Sequence, residues 1–236
     1  MVQDNRHIQA VVFDLDDTLY PERQYVLSGY QSVEECLQEH MGLDGPFAGW
    51  LWARFLAGES AGALDDLSSH FQLALSSEQI AQLVAVYREH TPRIRCFGGA
   101  AGLLGRLHGT YRLGLLSDGF LPAQRLKLDA LKLGRFFDGV VFTEELGRDA
   151  WKPAPDGFER MCELLDVPHA RCAYVGDNVA KDFVAPNRLG WRTIQLLQPG
   201  QIHSAEPATG GVPQCVVHTW GQLRDAVREP TGASNG

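Results

Sequence analysis

The run Ala10-Val11-Val12-Phe13 is followed at once by the acidic stretch Asp14-Leu15-Asp16-Asp17-Thr18-Leu19-Tyr20. An apolar run without polar alternation predicts a strand that is buried on both faces, as in a parallel sheet. The ligand crevice of an open parallel sheet lies outside the carboxyl ends of its strands. We therefore expect the aspartates that follow this strand to face a site.

Apolar runs of strand length recur along the chain. They cover residues 113–116, 140–142, 173–175, 193–197 and, more weakly, 216–217. Apolar residues at helical spacing separate these runs, for example Leu103, Leu104 and Leu107 before the second strand. Alternating strands and helices predict an α/β fold with a doubly wound parallel sheet as its core.

The segment from about Tyr20 to Thr91 interrupts this alternation, because it contains no convincing strand. One helical repeat stops at Gly42, and Ser76-Ser77-Glu78-Gln79 predicts a capping box at the start of another helix. We expect about four helices here, inserted into the sheet domain. The predicted organisation is a core over 1–19 and 93–229, a helical cap over 20–92 and a flexible tail over 230–236.

Composition and charge restrict the partners of the chain. Its 236 residues carry a formal net charge of −8, which disfavours a nucleic-acid partner because phosphate binding needs a basic surface. Five cysteines without a C-x-x-C pair favour neither a disulfide framework nor a zinc site. Neither a signal-peptide pattern nor a run of ~20 apolar residues is present. We expect a cytoplasmic protein without a membrane partner, whose oligomeric state the sequence leaves open.

Polar residues also follow the other predicted strands. The second strand ends at Ser117-Asp118-Gly119, which offers a hydroxyl and turn amides for an anion. Lys152 precedes the next helical pattern, and the fourth strand ends at Gly176-Asp177, with Asp182 shortly after it. We expect these segments to converge with the acidic stretch of the first strand at one edge of the sheet.

Four of the converging side chains are carboxylates, namely Asp14, Asp16, Asp177 and Asp182. Carboxylates in close proximity raise each other's pKa unless a cation lies among them. Oxygen ligands favour a hard ion, and Mg²⁺, which uses few carboxylates together with a substrate phosphate, fits best. With Lys152 as a second positive charge, this composition predicts phosphoryl transfer.

The spacing of Asp14 and Asp16 suits two complementary catalytic roles. A carboxylate can act as the nucleophile and form an aspartyl-phosphate, which divides one difficult displacement into two easier ones. A second carboxylic acid nearby must then protonate the leaving alkoxide and later activate water. Asp14 and Asp16 are the candidates for these roles.

Four motifs of the sequence resemble, in order and spacing, those of the haloacid dehalogenase (HAD) superfamily, over nearly the whole chain. They are 14–18 with Leu19, then Ser117, then Lys152-Pro153, then Gly176-Asp177 with Asp182. The resemblance implies a Rossmann-like core and a C1-type helical cap, as in subfamily I. Opening and closing of such a cap admits substrate and excludes water.

The resemblance also implies roles for the acidic residues. Asp14 would be the nucleophile and a metal ligand, and Asp16 would be the general acid/base that also gives its backbone carbonyl to the metal. Asp177 would bind Mg²⁺, and Asp182 would be a ligand or an anchor behind the ligands. Pro186 departs from the pattern by interrupting the helix expected after the fourth motif, which predicts a locally adjusted first turn.

The phosphate site implied by the resemblance draws on the second and third motifs. Ser117 and Lys152 would hold the phosphoryl group, and the turn at Asp118 and Gly119 would add backbone amides. Ala154 stands where members of the subgroup commonly have an acidic residue, and we expect little effect from this difference.

We therefore predict a Mg²⁺-dependent phosphatase that hydrolyses a small soluble phosphate ester, either a sugar phosphate or a nucleoside monophosphate. A haloacid dehalogenase would need neither an acid at Asp16 nor a Mg²⁺ site, and a phosphonoacetaldehyde hydrolase would need a lysine within 20–92, where none occurs. A β-phosphoglucomutase-type mutase and a non-catalytic HAD-fold protein that binds a phospho-ligand remain alternatives. A receiver domain is rejected, because it lacks the helical insertion and is near half this length.

Aromatic residues cluster in the predicted cap at Phe47, Trp50, Trp52 and Phe55. We interpret this cluster as the core of the cap, with the lining of a ligand pocket as the alternative, because aromatics dominate both environments. Lys181 is interpreted as a solvated residue at a helix start, with a role at the rim of the phosphate site as the alternative. Substrate contacts depend on three-dimensional geometry, so the sequence does not identify the substrate.

Overall fold

The computed structural model of the chain describes residues 7–202 and 206–228. The flexible tail predicted over 230–236 lies outside the described residues, as do residues 1–6 and 229 of the predicted core. Within the described ranges, no helix is long and apolar enough to cross a membrane.

Six strands form one parallel sheet in the order β3-β2-β1-β4-β5-β6. The strands are β1 (Ala10–Phe13), β2 (Arg112–Ser117), β3 (Gly139–Phe142), β4 (Cys172–Gly176), β5 (Arg192–Leu196) and β6 (Cys215–Val217). The first strand in sequence is therefore central, with β2 on one side and β4 on the other. This order is that of a doubly wound Rossmann-like sheet, which confirms the predicted fold class.

Helices cover both faces of the sheet. They are α5 (Ala100–Leu107), α6 (Leu121–Leu131), α7 (Asp156–Leu165), α8 (Val184–Arg188) and α9 (Trp220–Arg228). Consecutive residues of β1 point to opposite faces, so Val11 packs in one apolar cluster with Leu103 and Leu223, and Val12 packs in another with Phe158. The continuous apolar runs of the strands follow from this burial on both sides.

Four further helices lie between β1 and α5, where the helical insertion is predicted. They are α1 (Glu22–Met41), α2 (Phe47–Leu56), α3 (Ala63–His70) and α4 (Ser77–Glu89), and we call them the cap helices. They pack around an apolar cluster of their own that includes Val33, Leu37 and Leu83. Ser76 and Gln79 form the predicted capping box at the start of α4. The exact cap boundaries at residues 20 and 92 stay a prediction.

The chain after β4 reaches α8 through a series of turns over residues 177–183. Helix α8 begins at Val184, so Pro186 is its third residue, where a missing amide hydrogen breaks no helical hydrogen bond. Asp182 consequently lies in the turns before the helix, in agreement with the adjusted first turn expected from Pro186.

Candidate active site

The ends of three central strands bring the sequence motifs together. Asp14 directly follows β1, Ser117 is the last residue of β2, and Asp177 directly follows β4. The backbone amide of Asp14 donates a hydrogen bond to the carbonyl of Val175 (2.9 Å), which extends the pairing of β1 and β4 to the first acidic residue. The strand order thus places these three residues at one edge of the sheet.

Lys152 connects the third motif to the acidic residues. Its Nζ donates hydrogen bonds to Asp14 Oδ1 (2.6 Å), Asp182 Oδ1 (2.7 Å) and the hydroxyl of Tyr174 (2.9 Å). The Lys152 side chain is fully buried. Burial alone would lower the pKa of Lys152, but Asp14 and Asp182 raise it well above its usual value. The ammonium group therefore stays charged inside the protein.

Both carboxylate oxygens of Asp182 are held by protein groups. Oδ1 accepts the hydrogen bond from Lys152, and Oδ2 accepts from the backbone amides of Asp177 (3.2 Å) and Asn178 (2.9 Å). Gly176 allows this approach, because a Cβ atom at that position would lie 2.5 Å from Oδ2. These contacts favour the anchoring alternative for Asp182, which fixes the turn that carries Asp177.

Asp14, Asp177 and Asp182 each offer an oxygen within 4.8 Å of the other two, so this cluster could hold a cation. Asp177 Oδ1 accepts a hydrogen bond from Thr18 (3.5 Å), whereas its Oδ2 is buried without a hydrogen-bond partner among the described residues. Burial raises the pKa of Asp177 well above its usual value, and the charges of Asp182 and Asp14 add to this shift. A hard cation such as Mg²⁺ would satisfy the unpartnered oxygen.

Asp14 is the member of this acidic cluster that directly follows β1. Burial raises the pKa of Asp14 to about 7, although the charge of Lys152 opposes the shift. A protonated carboxyl group is a poor nucleophile, and a nearby cation lowers a carboxyl pKa. The cation that fits the cluster would thus also favour the reactive form of Asp14.

The carboxylate of Asp16 is held by a separate set of core residues. Oδ1 accepts hydrogen bonds from Lys127 Nζ (2.7 Å) and the Tyr20 hydroxyl, and Oδ2 accepts from Gln124 Nε2 (3.0 Å). Burial would raise the pKa of Asp16, but these three partners, Lys127 above all, lower it below its usual value. The Asp16 carboxylate is not part of the acidic cluster of Asp14, so only its backbone carbonyl is left for the metal role that the resemblance implies.

The second motif forms a turn beside the acidic cluster. The hydroxyl of Ser117 is buried and has no hydrogen-bond partner within the described ranges, which leaves it available for an anion. Gly119 has a φ of +125°, and a Cβ atom there would overlap the side chain of Gln124. This position therefore requires glycine.

Asp118 has a carboxylate whose contacts differ from those of a phosphate ligand. Its Oδ1 accepts hydrogen bonds from Thr143 Oγ1 (2.8 Å) and the backbone amide of Lys152 (3.2 Å). Its Oδ2 lies 3.6 Å from Nζ of Lys181. The Asp118 side chain thus positions the third motif. Lys181 forms an ion pair beside the site while its side chain stays 35% exposed, so it is partly solvated, as expected.

The family model of the haloacid dehalogenase-like hydrolases matches residues 8–190. This chain belongs to that family. The HAD hydrolase is 28% identical over 232 residues to the glyceraldehyde 3-phosphate phosphatase of Methanopyrus kandleri, with 94% of this chain and 98% of the relative covered. It is 23% identical over 227 residues to the pyrimidine 5′-nucleotidase YjjG of Escherichia coli, with 90% of this chain and 95% of the relative covered.

A solved structure with the same fold is the 2-haloacid dehalogenase from Pseudomonas syringae pv. tomato. The TM-score is 0.65 at 22% identity, with 93% of this chain and 98% of the dehalogenase covered. Because the likeness covers nearly all of the described residues, sheet and cap helices share the fold of this solved structure.

Gln124 and Lys127 are site residues of the HAD hydrolase that the sequence analysis does not assign. The buried positions of α6 are Ala123, Gln124, Lys127, Leu128 and Leu131, which form one helix face. A glutamine and a lysine on an otherwise apolar face indicate that each has a buried polar partner. The pattern thus predicts their burial, but it does not identify Asp16 as the partner.

A cavity of about 680 Å³ lies between this edge of the sheet and the cap helices of the HAD hydrolase. Asp14, Asp16 and Lys152 line its sheet side. Phe55 lines its cap side. For this member of the aromatic cluster, the alternative interpretation as the lining of a pocket therefore applies. Phe47, on the same helix, is buried in the apolar cluster of the cap. The acidic residues and the cap helices therefore enclose one space.

Proposed function

We propose that this HAD hydrolase is a Mg²⁺-dependent phosphomonoesterase that hydrolyses a small phosphate ester through an aspartyl-phosphate intermediate. The observation that carries the proposal is the unpartnered, buried oxygen of Asp177 beside Asp14, whose other neighbour is the Lys152 ammonium. Two relatives are named as a phosphatase and a 5′-nucleotidase, which supports the same chemistry. Sugar phosphates and nucleoside monophosphates are the proposed substrate classes.

The proposed metal site consists of carboxylate oxygens of Asp14 and Asp177 and the backbone carbonyl of Asp16, with Asp182 anchoring the turn behind them. When bound, Mg²⁺ supplies positive charge that stabilises the phosphoryl oxygens and the buried carboxylates. Lys152 contributes a second positive charge from the protein itself.

In the first step, a carboxylate oxygen of Asp14 attacks phosphorus, and the bond from phosphorus to the leaving oxygen breaks. Asp16 donates a proton to that leaving oxygen. Before it acts as an acid, Asp16 must gain a proton and exchange its hydrogen bonds to Lys127 and Gln124 for the substrate. The Ser117 hydroxyl and Lys152 hold the phosphoryl oxygens during the transfer, for which Lys152 must release one of its three hydrogen bonds to Asp14, Asp182 and Tyr174.

In the second step, water attacks the phosphorus of the aspartyl-phosphate, and the bond to Asp14 breaks with release of inorganic phosphate. Asp16 accepts the proton of the attacking water. The buried ammonium of Lys127 lies 2.7 Å from Asp16 and holds this carboxylate ionised, which is the form that a base requires.

All five cysteines are free thiols, which supports a reducing compartment such as the cytoplasm.

The test of this proposal is hydrolysis of p-nitrophenyl phosphate by wild type and Asp14→Asn, each with Mg²⁺ and with EDTA. An amide is a poor nucleophile and a weaker metal ligand, so we expect Asp14→Asn to lose about 10⁴-fold or more in kcat. Asp129→Asn, which changes an exposed carboxylate on α6, is the matched control and should keep wild-type activity. Full activity of Asp14→Asn, or of wild type in EDTA, would refute the proposal.

A phosphate-release screen of sugar phosphates and nucleoside monophosphates then separates the remaining alternatives. A mutase would move the phosphoryl group to a second hydroxyl of a phosphosugar with little phosphate release. A non-catalytic HAD-fold protein would bind a phospho-ligand without turnover of any compound. Release of inorganic phosphate in excess over enzyme excludes both.

A further inference from the structure

The cap side of the cavity is formed mainly by apolar and aromatic side chains. They come from α1, α2 and α4 and are Tyr25, Val26, Tyr30, Phe55, Val84 and Tyr87. Tyr87 joins the other two tyrosines into one surface, since its ring centroid lies 5.7 Å from that of Tyr25 and 5.6 Å from that of Tyr30. A leaving group that extends from the phosphate site toward the cap therefore meets this surface.

The hydrogen-bonding capacity of this surface is small. The Tyr25 hydroxyl donates to the backbone carbonyls of Tyr87 (3.1 Å) and Arg88 (3.3 Å) and is thereby used within the cap. Within the described part of the chain, the hydroxyls of Tyr30 and Tyr87 make no hydrogen bond to protein. Two phenol groups are thus left for a ligand, and the aliphatic side chains between them offer none.

Four polar or charged residues of the cap also line the cavity, namely Glu22, Ser60, Asp65 and Arg88. Ser60 and Asp65 are exposed and belong to the solvent side of the cavity. The guanidinium of Arg88 lies 3.5 Å from the ring centroid of Phe120 and so covers an aromatic ring of the core. Glu22 begins α1, where its backbone amide donates a hydrogen bond to Asp17 Oδ1 (2.8 Å). Glu22 and Arg88 therefore place their charges at the sheet end of the cap wall, next to the core residues Asp17 and Phe120.

A polyhydroxylated alcohol is poorly matched to such a wall. Each hydroxyl that leaves water without a new partner weakens binding, whereas an apolar ring gains from burial. We propose that the part of the substrate alcohol in contact with this wall is an apolar or aromatic ring with at most one or two polar groups. This inference rests on the proposed phosphatase activity and narrows its substrate class away from sugar phosphates.

A matched pair of esters tests the inference. Cyclohexylmethyl phosphate and glucose 6-phosphate both place a six-membered ring on a CH₂–O–phosphate group, but only the sugar carries hydroxyls. With wild type and Mg²⁺, we expect kcat/KM to be about 100-fold higher for cyclohexylmethyl phosphate, because the sugar hydroxyls would be buried without partners. Equal values, or a preference for glucose 6-phosphate, would overturn the inference.

Two variants on α4 locate the selectivity. Val84 lines the cavity, whereas Val86 packs against the apolar cluster of the cap and lies outside this cavity. Val84→Thr adds a hydroxyl to the wall and should reduce the preference for the cyclohexylmethyl ester about fivefold. Val86→Thr makes the same change two residues further along α4 and should leave the preference for the cyclohexylmethyl ester unchanged. An equal change in both variants, or none in Val84→Thr, would contradict the assignment of the wall.

p-Nitrophenyl phosphate separates this inference from the proposed function. If it is hydrolysed with Mg²⁺ while glucose 6-phosphate is preferred over the cyclohexylmethyl ester, only the inference fails. If wild type releases phosphate neither from these three esters nor from any compound of the phosphate-release screen, the proposed phosphatase activity fails and the inference fails with it.

Discussion

Beside the cavity, the sheet edge holds Lys152 and Asp182, whose charged atoms all contact protein partners. The cap side of the cavity is a mainly apolar wall, with two phenol groups that make no hydrogen bond to protein among the described residues. A polar network whose members hold one another tolerates little change. An apolar wall tolerates changes that conserve its volume. In this HAD hydrolase, we therefore expect turnover and substrate selectivity to respond to different sets of mutations.

The sharpest test of the sheet side is Asp16→Asn. An amide neither gives a proton to a leaving alkoxide nor takes one from water, so steady-state kcat with cyclohexylmethyl phosphate should fall about 10³-fold. p-Nitrophenolate leaves without a proton, so p-nitrophenyl phosphate should still give a burst of p-nitrophenol equal to the enzyme concentration. Rapid-mixing absorbance measures the burst. Unchanged steady-state turnover would remove Asp16 from the acid/base role.

The next largest effect is expected from Lys152→Met. Asp14 and Asp182 would lose the cation that lies 2.6 and 2.7 Å from them. Removing one partner of a buried ion pair lowers the free energy of unfolding by about 3–5 kcal/mol, which urea unfolding in EDTA would measure. Lys181→Met is the control, because that ammonium is 35% exposed and 3.6 Å from its partner. A similarly small decrease in the free energy of unfolding in both variants would contradict the stabilising role of the ion pairs of Lys152 with Asp14 and Asp182.

The smallest expected effect is on the pH dependence of the free energy of unfolding in the absence of metal. Burial raises the pKa of Asp14 from 3.8 to about 7, so the folded protein holds a proton there that the unfolded chain has released. The folded state binds more protons in this window, and the Asp14 contribution to the unfolding free energy falls as pH rises from about 4 to about 7. Asp14→Asn should remove this part of the slope, and saturating Mg²⁺ should reduce it. Identical slopes in wild type and Asp14→Asn would contradict the shift.

The sequence predicts the sheet and its acidic edge well. A strand buried on both faces must be continuously apolar, so the runs before Asp14 and Asp177 are unambiguous. Polar residues at the ends of parallel strands can only meet at one edge. The six strands and the places of the first, second and fourth motifs follow from these two rules, whereas Lys152 lies ten residues beyond the end of β3.

Contacts between side chains of different elements could not be predicted in this way. Lys127 lies 111 residues from its partner Asp16, and the rotation of α6 against the sheet decides that they meet. Phe47 and Phe55 share one helix, yet the first is buried in the cap and the second lines the cavity. A helix pattern reveals which face is apolar, but it does not reveal what that face contacts.

The central position of β1 has a consequence for the synthesis of the chain. β1 leaves the ribosome well before its sheet neighbours, which begin at Arg112 and Cys172. Asp14 meets Lys152 and Asp182 only after those residues have been made, and pairings of such long sequence separation form slowly. A nascent or truncated chain therefore carries the aspartate without the reactive centre. Phosphate esters in the cell would meet an active enzyme only once translation has passed residue 182.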